Sequence, residues 1–336
     1  MNLSILDQAP ISSGKTAGEA LQASIKLAQA GEAFGYKRYW IAEHHDFSGL
    51  SCSAPEVMLA AIGANTSNIR IGAGAILLPH YKPYKVAEVF NMLATLYPGR
   101  MDLGIGRAPG GSAEVTMALS NNFLQQVYKL PESVQELFQF LHHDFPDDHM
   151  YANISAAPLP TTPPQPWILG TSGKSAKLAA DQGVAYAFGH FMSDNEGPEI
   201  VKSYVDHFKA RRTLKKPQTI IAVSVVCAET TGKAEELATS SLLWKIQLGK
   251  GEGKEGVPSI EEAKNYTFTD EELTVTSKMK QKMIIGNPQD VKEQLMELQL
   301  IYAADEIMIV TITHSYEERI RSYELIANEY SGRKNL

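Results

Sequence analysis

Short apolar segments alternate with longer amphipathic segments along almost the whole chain of 336 residues. Eight of the short segments have the length and composition of strands that are buried on both faces, and at least one helical pattern follows each of them. The predicted strands cover residues 3–6, 38–42, 69–78, 101–106, 167–169, 184–188, 220–228 and 307–311. This alternation predicts an α/β fold, a (β/α)8 TIM barrel, with a doubly wound sheet plus a second domain as the alternative.

No change in composition divides the chain, so we expect a single barrel domain over residues 1–336. Two long segments interrupt the β/α units, one from about residue 108 to 166 and one within residues 249–282. Long connections that follow barrel strands usually lie on the catalytic face. The second segment begins with a stretch rich in Gly, Lys and Glu, and we interpret residues 249–282 as a mobile lid insertion. Its later half supplies side chains that could dock on a barrel mouth or meet an anionic ligand: Tyr266, Phe268, Leu273, Val275, Met279, Lys278, Lys280 and Lys282.

The overall charge and the cysteine content exclude several classes of protein. With 31 basic and 38 acidic residues, the net charge of −7 argues against binding to nucleic acids or to anionic membranes. No apolar run approaches the roughly 18 residues of a membrane span, and the N-terminus lacks the basic region of a signal peptide. The only cysteines, Cys52 and Cys227, have no metal-site or disulfide-framework spacing, which favours a cytoplasmic location.

Two adjacent histidines follow the second predicted strand, in the order Glu43, His44, His45. Neighbouring side chains on a strand point in opposite directions, so at most one imidazole is expected to face the barrel mouth. An imidazole there could act as a general base or hydrogen-bond donor. A metal ligand and a purely structural strand end remain alternatives, although the HExxH motif is absent. The histidines and aspartates of residues 142–149 resemble a solvated helix end more than a metal cluster.

Two glycine-containing turns follow later strands and could bind phosphate. The segment DLGIGRAPGG fails the dinucleotide-binding pattern because Pro109 stands where the third glycine is required, but it leaves Arg107 beside exposed backbone. The segment GTSGKS is not a P-loop, because Ile168 occupies the position of the first glycine. It still joins a strand to a helix N-terminus, where free amides favour an anion. A surface salt bridge of Arg107 and a simple helix cap are the respective alternatives.

Small residues inside the third predicted strand form the sequence Gly72, Ala73, Gly74, Ala75. Such residues can leave room beside the backbone for a flat ligand. Close packing within the protein explains them equally well.

Several of these segments together resemble the bacterial luciferase-like flavin monooxygenases, and most closely their single-chain bacterial branch. They are RYWIAEHH, IRIGAGAILLPHYKPYKVAEVFNMLATLYPGRMDLGIGRAPGG, ILGTSGKSAKLAADQG and IIGNPQDVKEQLMELQLIYAADEIMIV, and the resemblance covers nearly the whole chain. It implies a TIM barrel that holds reduced FMN at its C-terminal mouth. His44 matches the catalytic imidazole, with Glu43 and His45 as its neighbours. Gly74 and Ala75 match a non-proline cis peptide under the flavin ring, and the phosphate-binding positions match Arg107, Ser172, Gly173 and Ser175.

The resemblance also implies an activity and its partners. Reduced FMN and molecular oxygen would oxidise a small organic substrate, an aldehyde being one candidate, through a flavin hydroperoxide. A flavin reductase would supply the reduced flavin, and a homodimer would form through the helices of the second and third units. The alternatives are a deazaflavin-dependent oxidoreductase, a flavin-binding protein without turnover, and a metal-dependent barrel hydrolase that uses His44 and His45.

Overall fold

A computed structural model describes residues 1–211, 214–253 and 255–332 of the chain. These residues form nine strands: β1 Asn2–Asp7, β2 Arg38–Ile41, β3 Arg70–Leu77, β4 Met101–Gly106, β5 Gln165–Gly170, β6 Ala185–Gly189, β7 Thr219–Cys227, β8 Met283–Gly286 and β9 Glu306–Val310. They also form thirteen α-helices: α1 Ala17–Phe34, α2 Pro55–Ala64, α3 Pro83–Leu96, α4 Ala113–Leu119, α5 Phe123–Tyr128, α6 Leu130–His142, α7 Gly173–Gln182, α8 Gly197–Asp206, α9 Thr231–Gly249, α10 Ile260–Asn265, α11 Asp270–Gln281, α12 Pro288–Tyr302 and α13 Tyr316–Ser331. Two short 3₁₀ helices cover Leu78–His80 and His190–Met192.

Eight of the strands close into a parallel ring, in the order β1, β2, β3, β4, β5, β6, β7, β9 and back to β1. The TIM barrel prediction is therefore confirmed, because a doubly wound sheet would leave two open edges. All eight predicted strands are present. The strand β8, four residues long, was not predicted. It pairs with residues 224–227 of the long strand β7 and lies outside the ring.

A buried ionic cluster fills the barrel at the N-terminal ends of the strands. Arg38 donates to Asp102 over 2.7 Å and to Glu306 over 2.6 Å, and each of the three side chains is at most 1% exposed. The guanidinium also lies 4.8 Å from the ring centre of Trp167. Breaking one member of such a cluster would leave an uncompensated buried charge. With this end filled by protein, the opposite, C-terminal end is the place for a ligand site.

The first long segment begins at that C-terminal end. The carbonyl of Pro109 accepts a hydrogen bond from His80 Nε2 over 2.9 Å, and the carbonyl of Gly110 accepts one from the His45 amide over 2.8 Å. The segment therefore starts against the ends of β2 and β3, on the face where the sequence analysis expected it.

The second long segment folds into α10 and α11, joined to α9 by a loop in which Gly251, Gly253 and Gly256 have positive φ. Its apolar side chains do not dock as one surface, because Leu273 and Val275 are exposed. Lys278 and Lys280 are also exposed.

Cys52 and Cys227 are both free thiols, and burial raises the pKa of each to about 12. Within the described residues, no helix is both long enough and apolar enough to cross a lipid bilayer.

Candidate active site

The two adjacent imidazoles that follow β2 have different surroundings. His45 Nε2 lies 2.7 Å from Glu43 Oε1, and both side chains are largely buried beside β3. His44 instead lines a cavity at the C-terminal mouth of the barrel. Of the two imidazoles, only that of His44 lines this cavity, although both residues lie beyond the end of β2, where strand alternation does not apply.

Glu43, which follows β2, accepts hydrogen bonds from residues at and after the end of β3. Its Oε2 accepts a hydrogen bond from the Leu77 amide over 3.0 Å, and its Oε1 accepts one from the Tyr81 hydroxyl over 2.7 Å. Burial and the nearby Glu43 carboxylate raise the pKa of Tyr81 well above its usual value. Sequence reasoning did not find Tyr81, because no local pattern connects it to a carboxylate 38 residues earlier. The arrangement makes Glu43 a positioning residue for the β3 end.

The peptide bond between Gly74 and Ala75 is cis, as the family resemblance implied. The glycines themselves make room for protein, however. A Cβ on Gly74 would lie 2.7 Å from Leu6 Cδ1, and one on Gly72 would lie 2.7 Å from Asp102 Cβ. Side chains of the barrel would meet a Cβ at either glycine, which favours close packing within the protein as the reason for glycine at these two positions. Contact of a flavin with the cis peptide stays a prediction.

Arg107 and the turn before α7 meet at the barrel mouth. Arg107 Nη2 donates to Ser172 Oγ over 3.4 Å, which joins two segments 65 residues apart. Ser172 caps α7, and a Cβ on Gly173 would meet nothing within 4 Å. Free amides, open space and a guanidinium together form a cradle for an anion.

Ser175 supports this turn from its buried side. Its hydroxyl donates to the Ser172 carbonyl over 2.7 Å and lies 3.0 Å from the Tyr186 hydroxyl, and the side chain is buried. Ser175 therefore holds the turn in shape, while Arg107, Ser172 and Gly173 face the open side.

The cavity that includes His44 has a volume of about 330 Å³. Burial lowers the pKa of His44 to about 4, so its imidazole is neutral at pH 7. His44 Nδ1 is buried and has no hydrogen-bond partner among the described residues. The remaining lining residues are Gln8, Phe47, Leu50, Phe191, Met192, Ser224, Trp244, Lys245, Leu248, Met279, Lys282, Met283, Val310 and Ile312. Ala75, Arg107 and Ser172 lie outside this lining, so the cavity and the anion cradle are separate parts of one mouth.

The structure gives the histidines of residues 142–149 ordinary structural roles. His143 takes the left-handed conformation that ends α6, and the His149 ring stacks on Phe145 with 4.7 Å between ring centres. In the described parts of the chain, no group of three or more His, Cys, Asp or Glu side chains could hold a metal ion.

Comparison with known proteins gives consistent matches over nearly the whole chain. The sequence model of a protein family described as "Luciferase-like monooxygenase" matches residues 1–305. The "Uncharacterized protein YceB" of Bacillus subtilis strain 168 is 43% identical over 327 residues, which are 97% of this chain and 98% of that protein. The "N-acetyl-S-alkylcysteine monooxygenase" of the same strain is 37% identical over 329 residues, 98% of either chain.

Solved structures show the same architecture. That of apo-MsnO8 has a TM-score of 0.89 and 32% identity, and the match covers 98% of this chain and 97% of the other. The oxygenating constituent of 3,6-diketocamphane monooxygenase from Pseudomonas putida, in complex with FMN, has a TM-score of 0.71 at 20% identity over 100% and 99% of the two chains. An F420-dependent secondary alcohol dehydrogenase has a TM-score of 0.66 at 14% identity over 97% of both chains. At identities this low, the last two matches show the fold alone.

Proposed function

The chain belongs to the luciferase-like monooxygenase family, a family of oxidoreductases, and from that premise we propose that it is a flavin-dependent monooxygenase. It uses reduced FMN and molecular oxygen to oxidise a small organic substrate. The observation that carries this proposal is the contact of Arg107 with Ser172 at the N-terminus of α7, beside the cavity mouth where His44 lies. An anion cradle next to a largely apolar cavity suits a phosphate-bearing cofactor and a neutral reacting centre.

The chemistry of the residues present suits FMN. Arg107, Ser172 and Gly173 would hold the phosphate, and the cis peptide of Gly74 and Ala75 would lie beneath the ring system. When bound, reduced FMN supplies the reaction with oxygen. The neutral imidazole of His44 can then accept or donate one proton at the reacting oxygen or substrate atom. The apolar walls exclude water from that step.

FMN is preferred over a deazaflavin because a relative above 30% identity is named a monooxygenase, whereas the F420-dependent neighbour is only 14% identical. The named substrate of that relative, an N-acetyl-S-alkylcysteine, contains a thioether sulfur that can accept one oxygen atom. Thioethers therefore join aldehydes as substrates to be tested.

Further parts of the proposal concern partners and location. A separate flavin reductase supplies the reduced flavin, and the protein acts as a cytoplasmic homodimer. The two free buried thiols are consistent with a reducing compartment. Exposed apolar side chains on α2 and α3 support the dimer: Val57, Met92 and Leu96.

Oxygen uptake by the purified protein tests the activity. Reduced FMN is added anaerobically, then oxygen together with a panel of aldehydes and thioethers, and both oxygen consumption and product are measured. We expect product to form in proportion to oxygen consumed, and only with FMN. Substrate oxidation by a deazaflavin without oxygen uptake would favour the alternative oxidoreductase. Tight FMN binding without turnover of any substrate would favour a binding protein.

A further inference from the structure

Lys245 lies in an unusual position on the wall of the His44 cavity. It belongs to α9, between Trp244, which is 2% exposed, and Ile246, which is 6% exposed. No hydrogen bond or ion pair joins its ammonium group to any other described residue. Burial lowers the pKa of Lys245, and no carboxylate among the described residues offsets this effect. A half-buried cation of this kind lacks the partner that usually compensates its desolvation.

The other residues that line the cavity indicate which kind of group could pair with the ammonium of Lys245. Two lysines line it, and no Asp or Glu of the described chain does. Lys282 forms an ion pair with Asp194, so its charge is already balanced. Lys245 is therefore the unbalanced charge of the cavity. Most of the other walls are apolar, including Phe191, Leu248 and Ile312.

We propose that this cavity binds a substrate with an apolar chain and one carboxylate group, and that Lys245 binds the carboxylate. The inference rests on the proposed function, because it identifies the substrate class of that same site. The apolar chain packs on the side chains of the cavity wall and brings the reacting atom towards His44. The carboxylate fixes the direction in which the chain enters, since Lys245 is the only unbalanced cation among the described residues of the wall.

Octanoate and octanamide are matched probes for this proposal, because they share the apolar chain and differ in the charge of the head group. Isothermal titration calorimetry with the full chain, without flavin, measures both affinities. We expect octanoate to bind at least about tenfold more tightly than octanamide, as for a charge-assisted contact. The fluorescence change on octanoate binding should disappear in Trp244→Phe, which locates the ligand in this cavity.

Three variants distinguish octanoate binding by Lys245 from a general effect of protein charge on the affinity. Lys245→Met keeps the length of the side chain and should remove the preference for octanoate, whereas Lys245→Arg should retain a preference. Lys202→Met removes an exposed lysine on α8 and should leave both affinities unchanged. Circular dichroism and thermal unfolding show whether each variant is folded.

Equal affinity for the two probes in the unaltered protein would overturn the proposal, and so would an octanoate preference that survives Lys245→Met. Absence of octanoate binding at millimolar concentration would also overturn it. A loss of FMN affinity in Lys245→Met with unchanged octanoate selectivity would make Lys245 a flavin contact instead. Because the titration uses neither flavin nor oxygen, its result is independent of whether the monooxygenase activity is found.

Discussion

At the residue scale, His44 and His45 show how neighbours in sequence acquire different chemistry. His45 is held by Glu43 in a buried network that also reaches Leu77 and Tyr81. His44 makes no hydrogen bond through its side chain to any described residue and faces the cavity. The first arrangement stabilises the ends of two strands, and the second leaves a neutral imidazole available to a ligand.

Replacing His44 tests its proposed role in proton transfer. We predict that His44→Ala binds FMN as the unaltered protein does but oxidises substrate about 100-fold more slowly, as for loss of an acid–base group. His45→Ala is the paired control. It removes one partner of buried Glu43, so it should lower the free energy of unfolding by about 1–3 kcal/mol. Unchanged turnover in His44→Ala would make His44 a structural residue.

The pH dependence of turnover and of stability follows from the burial of His44. Because the folded-state pKa of His44, about 4, lies below its ordinary value of 6.5, the imidazole stays neutral as pH falls from 7 to 5. Turnover should therefore show no loss near pH 6.5 that depends on His44. The unfolded chain binds this proton more readily, so the contribution of His44 to stability is lost as pH falls below about 6.5 towards 4.

Arg107 is the residue that tests the phosphate cradle. We predict that Arg107→Ala weakens FMN binding by about 1.5–3 kcal/mol, since a charge-assisted hydrogen bond is removed. Arg107→Lys should recover part of this loss, because it restores the charge without the planar fork. Calorimetric titration with FMN measures both variants. Equal FMN affinity in the unaltered protein and both variants would mean that Arg107 does not bind the phosphate and only contacts Ser172.

At the element scale, the end of α11 forms part of the cavity wall. Met279 and Lys282 line the cavity, and Lys282 pairs with Asp194 in the loop that follows β6. The second long segment thus contacts the mouth through its last turn, while α10 packs on α9. This geometry agrees with a lid over residues 249–282, which remains a prediction.

Replacing residues 251–276 with a short Gly/Ser linker tests that prediction. FMN should still bind, because Arg107 and Ser172 lie elsewhere. Hydrogen peroxide should replace part of the oxygenated product, because water reaches the reaction. Asp194→Asn is a milder variant that breaks the ion pair with Lys282 and should shift the coupling in the same direction. If the ratio of product to oxygen consumed matches that of the intact protein, the segment is not a lid.

At the scale of the whole molecule, two neighbouring outer helices expose large apolar side chains. On α2 and α3, Val57 is 65% exposed, Met92 53% and Leu96 59%. Large apolar side chains exposed on neighbouring helices can form an interface between subunits.

We predict a homodimer in solution that Met92→Glu converts to a monomer, because the substitution would bury a charge without a partner. Size-exclusion chromatography with light scattering measures the mass. Leu300→Glu on α12 is the matched control, since Leu300 is 80% exposed on another helix and should leave the mass unchanged. A monomeric unaltered protein at micromolar concentration would contradict the prediction.

The sequence alone was sufficient for the barrel and for the order of its eight strands. These features depend on local properties: apolar runs that suit strands buried on both faces, helix caps such as Ser172, and the alternation of side chains along a strand. The turn before α7 was also found locally, because its small residues and its position between a strand and a helix are adjacent in the chain.

Only the tertiary structure decided what these elements bring together. Closure of the barrel sets Arg107 against Ser172, Glu43 against Leu77, and Lys245 beside the cavity of His44. Each of these relations joins segments at least 34 residues apart. The packing against Gly72 and Gly74 likewise comes from other strands. A local pattern states which faces are buried, but the register and curvature of the closed sheet determine which distant side chains share a site.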